Sequence, residues 1–566
     1  MARDLQADLN MLREVVRLAQ ARDFQRAGAI ARKALSEGFE HPVLFNVVAT
    51  TLEQEGRFGE AAQLLERAVA IAPQDIGARN ALSLCLQRLD RPDQALTQID
   101  ILLGQHPELG FAHANKGNAL VALGFLERAR ASHLRALELE PQNLSAMASL
   151  ASIASHRGNH DEARSWALKV LESVPNYPDA MIALAAAELA AGDLVRAETL
   201  IRQLLADTRV APIDRARVTG LLGDVLDAGG RYDEALIAYT TCNESLRQLH
   251  FEFTGRTRLI TYAEQLTATV ASDADRFPAA RAGADAARAG ADAARAGAWV
   301  DATGAAAGAA GGGTDVSGHV FLIGFPRSGT TLLEVVLDGH PRVASLDEHE
   351  LFTDSVRQLM ANPRDLSALL AADERTLQGL RQAYWNRVRE SEIDVSGKVF
   401  VDKYPMNTLK LPLIARLFPN AKILFACRDP REVVLACFRR RFKMNPATYE
   451  YLTLPGAAAV YDTTMRMAES MRPVFGANWR EVRYESLVAD FAAQTRAICE
   501  FLGLEWIEGM DNFAQRARQR ERSTPSTAQL ARGLDRSRPV HWTHYRTALE
   551  PVLPSLAKWV ERFGYA

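Results

Sequence analysis

The sequence predicts an α-helical solenoid followed by an α/β domain of P-loop-like fold with a central parallel sheet. Three observations support this: alanines recur every 34 residues in the first half, a stretch rich in Ala and Gly follows, and a strand–loop–helix pattern opens the second half. A chain of 566 residues has room for two or three folding units. We therefore expect two domains of different architecture.

The composition excludes several classes of protein. Hydrophobic residues make up 48% of the chain and charged residues 24%, which is a globular balance, and the net charge of −3 does not suit a dedicated nucleic-acid binder. No apolar run reaches the length of about 18 residues that a membrane span needs, and the N-terminus lacks the apolar segment of a secretory signal. The five cysteines lack metal-ligand spacing, which argues against disulfides or a zinc site. We expect a cytoplasmic protein without a metal.

The first half contains an internal repeat. Alanines and prolines each recur with a period of 34 residues, Gly or Asp stands five residues before the alanine, and a small residue stands twelve before it. Small residues let two antiparallel helices approach closely, and the glycine suits the turn between them. One such hairpin cannot bury its apolar face alone, so neighbouring hairpins must stack. The repeated alanines are Ala27, Ala61, Ala95, Ala129, Ala163 and Ala197.

This pattern resembles the tetratricopeptide repeat over residues 9–255. The segments GRFGEAAQLLERAVAIAPQ and GNHDEARSWALKVLESVPN are similar to its second-helix signature. A further unit, GRYDEALIAY, follows after a shift, because Ala235 comes 38 residues after Ala197. The resemblance implies a groove that binds a protein ligand. A solenoid that only spaces or dimerises the second domain is the alternative.

Residues 273–315 are predicted to form a disordered Ala/Gly linker. The stretch AARAGADAARAGADAARAGAWVDATG carries few large apolar side chains, so a helix there would gain little from packing. Each glycine disfavours helix by a further ~1 kcal/mol. A single solvated helix is the alternative.

An anion-binding loop opens the second half, in the segment HVFLIGFPRSGTTLLEVVL. Val320–Ile323 predict a buried strand, TLLEVVL predicts a helix, and the loop Gly324–Thr331 joins them. Backbone N–H groups converge at such a helix N-terminus, where the helix dipole favours an anion. Gly324 and Gly329 have Walker A spacing, but Thr330 stands where that motif has lysine, which disfavours Mg-nucleotide chemistry.

The loop sequence PRSGTT resembles the 5′-phosphosulfate loop of sulfotransferases that use 3′-phosphoadenylyl sulfate (PAPS). Three later segments are similar to other motifs of that family and follow in the same order: VFVDKYPMN, KILFACRDPREVVLACFRRRF and VRYESLVAD. The tail LAKWVERFGYA resembles the C-terminal helix of the tyrosylprotein sulfotransferases. The resemblance covers residues 317–566 and implies a sulfotransferase domain.

The resemblance also implies which residues bind PAPS. An arginine in the loop contacts the 5′-phosphate, and two later arginines hold the 3′-phosphate through charged hydrogen bonds. Two positions depart from the family pattern, because Ala436 replaces a serine at the 3′-phosphate and His541 replaces a basic residue before a tryptophan. The basic run Arg439–Arg441 could alternatively be a solvated helix end. The implied PAPS-binding residues are Arg327, Ser328, Gly329, Thr330, Thr331, Arg428, Arg440 and Tyr484.

Three residues are expected to act on the reacting groups. By its resemblance to the catalytic glutamate of the tyrosylprotein enzymes, Glu348 in SLDEHELF takes the acceptor's proton, and His349 is the alternative base. Lys403 stabilises the bridging oxygen, unless it is an exposed lysine at a strand end. Ser526, in RSTPSTAQL, donates to the sulfuryl group, with Ser523 as the alternative.

The predicted function is PAPS-dependent sulfuryl transfer to a hydroxyl-bearing acceptor, with repeats that recruit a protein partner or acceptor. The sequence leaves the acceptor open among a protein tyrosine, a glycan and a small alcohol. Two other functions stay open at this point: an interaction scaffold whose second domain binds nucleotide without turnover, and a nucleotide kinase. No nucleic-acid partner is expected.

Overall fold

The computed structural model describes residues 5–254, 259–273, 276–277, 316–519, 530, 533 and 540–565. Compact packing divides the chain after Ala191, so that a second unit begins at Gly192. Ser526 lies outside the described residues, as does the predicted linker 273–315 apart from residues 273, 276 and 277. The domain boundary at residue 255 stays a prediction.

The first unit consists of tandem helices, each of which packs against the next one in the chain. The repeated alanines of this unit are fully buried between these helices, as close helix packing requires. The helices are α1 (Leu5–Gln20), α2 (Phe24–Ser36), α3 (Pro42–Gln54), α4 (Phe58–Ile71), α5 (Ile76–Arg88), α6 (Pro92–Gln105), α7 (Gly110–Ala122), α8 (Leu126–Leu139), α9 (Leu144–His156), α10 (His160–Ser173) and α11 (Pro178–Ala191).

Left-handed residues make the turns at the positions that the repeat predicts. Gly56, Gly124 and Gly158 have φ of 75°, 83° and 77°, and Asp90 has φ of 56° at the equivalent position. Glycine adopts this conformation without the steric penalty of a Cβ atom, and Asp tolerates it better than most residues. The prediction of a helical-repeat solenoid is confirmed.

The second unit begins with helices α12 (Leu194–Ala206), α13 (Pro212–Ala228), α14 (Tyr232–Leu249) and α15 (Leu259–Ser272). Helix α13 packs against α12 and α14, whereas α15 packs along a long helix of the α/β domain, α23 (Leu454–Phe475). The helices just before the predicted linker are therefore part of the same compact unit as the α/β domain.

A parallel sheet forms the centre of the second unit, and its described strands have the order β2–β3–β1–β4–β5. The predicted α/β domain with a central parallel sheet is thus confirmed. Four of these strands are almost entirely buried, because helices cover both faces of a parallel sheet, whereas the edge strand Trp479–Arg483 is mostly half-buried. The strands are β1 (Gly318–Gly324), β2 (Val343–Asp347), β3 (Val399–Lys403), β4 (Lys422–Cys427) and β5 (Trp479–Arg483).

Helices of the α/β domain connect and cover these strands, and none of the described helices is long and apolar enough to cross a lipid bilayer. Besides α23, they are α16 (Thr330–Leu337), α17 (Thr353–Leu359), α18 (Ser367–Ala371), α19 (Glu374–Glu390), α20 (Leu411–Leu417), α21 (Pro430–Arg439), α22 (Pro446–Glu450), α24 (Tyr484–Ala489), α25 (Phe491–Leu502), α26 (Phe513–Gln519), α27 (Arg546–Leu549) and α28 (Leu553–Arg562).

The carboxyl ends of the strands meet at one edge of the sheet, where Asp347 pairs with Lys403 and Cys427 pairs with Arg483. Since β1 lies between β3 and β4, this edge contains the switch point at which parallel sheets bind ligands. Several predicted site residues stand at or just after a strand end. They are Glu348 after β2, Lys403 at the end of β3, Arg428 after β4 and Tyr484 after β5.

Candidate functional site

The loop between β1 and α16 begins with a close backbone approach. Gly324 has φ of 152°, and a Cβ atom at this position would clash with the carbonyl oxygen of Ala426 on β4. The backbone N–H of Gly324 donates to Thr408 Oγ1 at 3.1 Å, and the Thr408 hydroxyl donates to the Gly324 carbonyl oxygen at 2.7 Å. The start of the loop is therefore fixed on both sides by neighbouring elements.

Two left-handed residues shape the rest of the loop. Arg327 has φ of 72° and Gly329 has φ of 97°, and Gly329 is the N-cap residue directly before α16. The side chains of Ser328, Thr330 and Thr331 are buried. This arrangement turns the first N–H groups of α16 toward the carboxyl edge of the sheet, as an anion-binding loop requires.

Three predicted arginines bring positive charge to this loop. Burial, together with the charges of Arg440 and Arg428, lowers the pKa of Arg327 to about 10. Arg428 Nη1 donates to the carbonyl oxygen of Arg327 at 3.5 Å, and its guanidinium carbon lies 4.6 Å from the centre of the Tyr484 ring. An anion bound between positive groups this close together relieves the repulsion between them.

The basic run Arg439–Arg441 is not a solvated helix end. Arg439 and Arg441 form ion pairs with Asp227 and Asp224 of α13, and their side chains are only 21% and 23% exposed. Burial and the neighbouring charge of Arg441 lower the pKa of Arg440. The three arginines therefore face different surroundings.

Lys403 is fully buried and is surrounded by carboxylates. Its Nζ atom pairs with Asp347, lies 3.0 Å from Glu348 Oε1 and lies 3.6 Å from Glu334 Oε2. Burial by itself lowers the pKa of Lys403, but these three carboxylates outweigh it and raise the pKa. The alternative that Lys403 is an exposed lysine at a strand end is wrong.

Glu348 stands in a left-handed turn beside this lysine. Its φ is 50°, and its backbone N–H donates to the Lys403 carbonyl oxygen at 2.7 Å. The Glu348 side chain is 45% exposed and lines a cavity, whereas His349 does not line it and its Nδ1 lies 2.9 Å from the Asp347 carbonyl oxygen. This geometry favours Glu348 over His349 as the group that meets an acceptor.

The cavity has a volume of about 640 Å³, and its wall contains both predicted PAPS-binding residues and the predicted base Glu348. Its lining combines the loop residues, charged side chains that include Glu348, and apolar and aromatic side chains. The predicted residues on its wall are Arg327, Gly329, Thr330, Thr331, Glu348, Arg428 and Tyr484. Ser328, Lys403 and Arg440 lie outside this wall.

Comparison with known proteins agrees with this architecture. Residues 319–508 match the model of the sulfotransferase family, and residues 12–76, 52–115 and 114–178 match models of the tetratricopeptide repeat. The α/β domain is a sulfotransferase-family domain. In this chain it follows tetratricopeptide repeats.

Several proteins are similar to parts of the chain. Protein-tyrosine sulfotransferase A of Caenorhabditis elegans is 27% identical over 34% of this chain and 51% of its own length. Protein-tyrosine sulfotransferase 2 of Gallus gallus is 26% identical over 33% of this chain and 51% of its own length. An uncharacterized protein of Aquifex aeolicus is 27% identical over 42% of this chain and 32% of its own length. The chain thus spans about half of these relatives or less.

A solved structure of a tetratricopeptide repeat protein from Parabacteroides merdae is similar to the repeats. It is 17% identical over 42% of this chain and 93% of that chain, with a TM-score of 0.36.

Sequence reasoning missed several apolar and aromatic residues that line this cavity. Leu259 and Tyr262 come from α15, before the predicted linker, and Tyr404 and Tyr451 come from the α/β domain. No spacing or motif marks Leu259 and Tyr262, because they reach the cavity only through the packing of α15 on α23. For Tyr404, its position directly after Lys403 at a strand end was an available signal.

Proposed function

We propose that the sulfotransferase domain transfers a sulfuryl group from PAPS to a hydroxyl acceptor. The observation that carries this proposal is the convergence of Arg327, Arg428 and Arg440 on one loop, with Glu348 and Lys403 at the adjoining strand ends. PAPS carries phosphates at its 5′ and 3′ positions, so its recognition calls for cationic groups at two places. The absence of a Walker lysine fits a donor that is not bound as a magnesium complex.

Each side chain has a role consistent with its position. Arg327 and the N–H groups of Ser328 to Thr331 would hold the 5′-phosphosulfate, and Arg428 and Arg440 would hold the 3′-phosphate. Tyr484 would lie beside the adenine ring while it stacks on Arg428. Ser526, which lies outside the described residues, remains the proposed donor to the sulfuryl group.

The transfer step requires a base and a group that stabilises the leaving phosphate. The acceptor oxygen forms a bond to sulfur, the bond from sulfur to the bridging phosphate oxygen breaks, and the nucleotide leaves as adenosine 3′,5′-bisphosphate. The Glu348 carboxylate would take the acceptor's proton, since it reaches the cavity. The positive charge of Lys403, beside Glu348, would favour the leaving oxygen.

The apolar and aromatic side chains of the cavity favour an aromatic acceptor. Tyr262, Tyr404, Met406, Phe442 and Tyr451 line the same cavity as Glu348 and the loop. A phenol would bury its ring against these aromatic and apolar side chains. A protein tyrosine or a small phenol is therefore the proposed acceptor. The tetratricopeptide repeats would bind the protein that contains this tyrosine or another protein partner.

Nucleotide binding by the full-length protein tests the donor assignment. Adenosine 3′,5′-bisphosphate should bind at least tenfold tighter than AMP, because the 3′-phosphate adds charge-assisted hydrogen bonds of about 1.5–3 kcal/mol each. Isothermal calorimetry measures both affinities, with ATP as the third ligand. Equal affinity for the first two nucleotides would contradict the proposal, and tight ATP binding with phosphoryl transfer would favour the kinase.

Turnover separates the enzyme from the scaffold. Sulfated product should form from PAPS and a phenol in the presence of the protein. Tight binding of adenosine 3′,5′-bisphosphate without any turnover on phenolic, sugar or alcohol acceptors would favour the scaffold.

A further inference from the structure

Two aspartates near the end of helix α13 contact the basic run of the sulfotransferase domain. Arg439 Nη2 lies 2.6 Å from Asp227 Oδ2, and Arg441 pairs with Asp224. Arg439 Nη2 also lies 3.3 Å from the hydroxyl oxygen of Tyr239 on α14. Both ends of the tripeptide Arg439–Arg441 are thus held by the last helical hairpin before the predicted linker.

The backbone beside this tripeptide is held by the same hairpin. Asn243 of α14 is buried, and its Nδ2 donates to the carbonyl oxygen of Phe438 at 2.9 Å. Gly220 of α13 lies so close to Arg441 that a Cβ atom there would be 2.6 Å from Arg441 Cδ. The close approach of α13 therefore depends on the absence of a side chain at residue 220.

Arg440 lies between the two anchored arginines and takes a different direction. Helix α21 ends at Arg439, and Arg440 has extended backbone angles of −93° and 132°. In extended backbone, successive side chains point to opposite sides, so Arg440 points away from its anchored neighbour Arg441, although Asp224 still acts on the charge of Arg440. The charge of Arg440 also acts on Arg327 in the loop Gly324–Thr331.

The position of these aspartates also argues for a specific role. Asp224 and Asp227 lie in the last two turns of α13, where the helix dipole disfavours a negative charge. Asp227 Oδ1 accepts hydrogen bonds from His541 Nε2, at 2.9 Å, and from the Tyr545 hydroxyl. Burial raises the pKa of Asp227, but these hydrogen bonds and the charge of Arg439 outweigh it and lower the pKa.

We infer that the α13–α14 hairpin is a structural part of the nucleotide site, in which Asp224 and Asp227 are positioning residues that hold Arg440 toward the 3′-phosphate. The negative charges of Asp227 and Asp224, which pair with Arg439 and Arg441, also reduce the repulsion among the three consecutive arginines. This inference rests on the proposed function, since it takes Arg440 as a ligand of the 3′-phosphate. It adds that residues of the repeat region set the affinity for the donor.

The test compares two nucleotides in the full-length protein. In Asp227→Asn and in Asp224→Asn, the affinity for adenosine 3′,5′-bisphosphate should fall by about tenfold, the loss of one charge-assisted contact, while the affinity for AMP stays within about twofold. AMP lacks the 3′-phosphate, so a general loss of structure would weaken both nucleotides alike. Asp214→Asn is the matched control, because Asp214 on the same helix pairs only at 3.5 Å with the nearby Arg217 and should leave both affinities unchanged.

Each outcome has one interpretation. Unchanged binding of adenosine 3′,5′-bisphosphate in both variants, or an equal loss of affinity for both nucleotides, would overturn the inference. The proposed function would still be upheld in that case if the wild type prefers adenosine 3′,5′-bisphosphate to AMP. A wild type without that preference would overturn both. If Asp227→Asn fails to fold in a thermal melt, Asp224→Asn decides the result, because its side chain is 28% exposed compared with 11% for Asp227.

Discussion

At the scale of single residues, the pair of Lys403 and Glu348 has the most direct link to chemistry. Three carboxylates surround one buried ammonium group. Asp347 and Glu334 are also buried, whereas Glu348 reaches the cavity. Two carboxylates thus fix the position of Lys403, and the third is available to an acceptor.

The first prediction concerns Glu348. Glu348→Gln keeps the size of the side chain but removes the carboxylate, so turnover should fall by roughly 10²–10⁴-fold while adenosine 3′,5′-bisphosphate still binds. Steady-state kinetics with a phenolic acceptor and calorimetry measure the two effects. His349→Ala is the control and should stay active, and the opposite pattern would make His349 the base.

Asp402 is a buried carboxyl one residue before Lys403 and on the other face of β3. The Tyr384 hydroxyl donates to its Oδ2 at 2.8 Å, Asn407 Nδ2 donates to its Oδ1 at 3.3 Å, and His319 Nε2 lies 3.0 Å from the Tyr384 oxygen. Burial raises the pKa of Asp402 to about 7, although the hydrogen bond from Tyr384 and the charge of Lys410 oppose this. Burial also lowers the pKa of His319 to about 3, so this network is neutral in mildly acidic solution.

The second prediction is a pH dependence of stability. In the unfolded chain Asp402 ionises near pH 3.9, whereas in the folded protein it keeps its proton until about pH 7. Its contribution to stability is therefore fully present below about pH 4, falls by up to ~1.4 kcal/mol per pH unit in between, and is lost above pH 7. Asp402→Asn removes this dependence. The denaturant midpoint of the variant minus that of the wild type should therefore increase as the pH is raised from 4 to 7. A constant difference would mean that the two states ionise alike.

At the level of structural elements, the shape of the loop before α16 depends on a left-handed glycine. Gly329 has φ of 97°, and a Cβ atom there would lie 2.8 Å from Tyr484 Cδ2. The Tyr484 ring in turn stacks on the Arg428 guanidinium. One glycine therefore allows the loop, the ring and the arginine to pack together.

The third prediction is that Gly329→Ala damages this element. Backbone strain of about 1–3 kcal/mol and displacement of Tyr484 should lower the affinity for adenosine 3′,5′-bisphosphate by about tenfold or more. Gly379→Ala is the control, since Gly379 lies inside α19 with no atom near its missing Cβ, and it should stabilise the protein by about 0.5–1 kcal/mol. Calorimetry and thermal unfolding measure the two effects. Unchanged nucleotide affinity in Gly329→Ala would show that the loop adapts to a Cβ atom.

At the scale of the whole molecule, the chain divides within the repeats. Helices α1–α11 form one compact unit, whereas α12–α15 belong with the sulfotransferase domain. Helix α15 contributes Leu259 and Tyr262 to the cavity, and Tyr262 donates from its hydroxyl to the Met360 carbonyl oxygen at 2.9 Å. The cavity is therefore lined by residues from both sides of the predicted linker.

The fourth prediction follows from this division. A protein that lacks residues 1–191 should bind adenosine 3′,5′-bisphosphate with unchanged affinity, whereas one that lacks residues 1–255 should bind it at least about tenfold more weakly, because α13 and α14 are gone. If the first unit recruits a protein acceptor, the shorter deletion should also raise the apparent KM for that acceptor and leave a small phenol unaffected. Calorimetry and kinetics on both deletions check this. Equal nucleotide affinity in the two deletions would contradict it.

The helical repeat and the loop after β1 follow from local patterns of the amino-acid sequence. Alanines at a fixed period and glycines in left-handed turns encode helix packing locally, and the loop Gly324–Thr331 is continuous in the chain. Glu348 and Arg428 were chosen by resemblance to the sulfotransferases, and the structure brings both to one carboxyl edge because the strands are parallel.

The surroundings of these residues depend on the packing of segments that are distant in the chain. The burial of Lys403 among three carboxylates has no sequence signal, and neither has the pairing of Arg439 with Asp227, which stands 212 residues earlier. Tyr262 reaches the cavity only because α15 packs on α23. Local patterns specify conformation and the burial of a face, whereas contacts between distant residues depend on how the finished elements pack together.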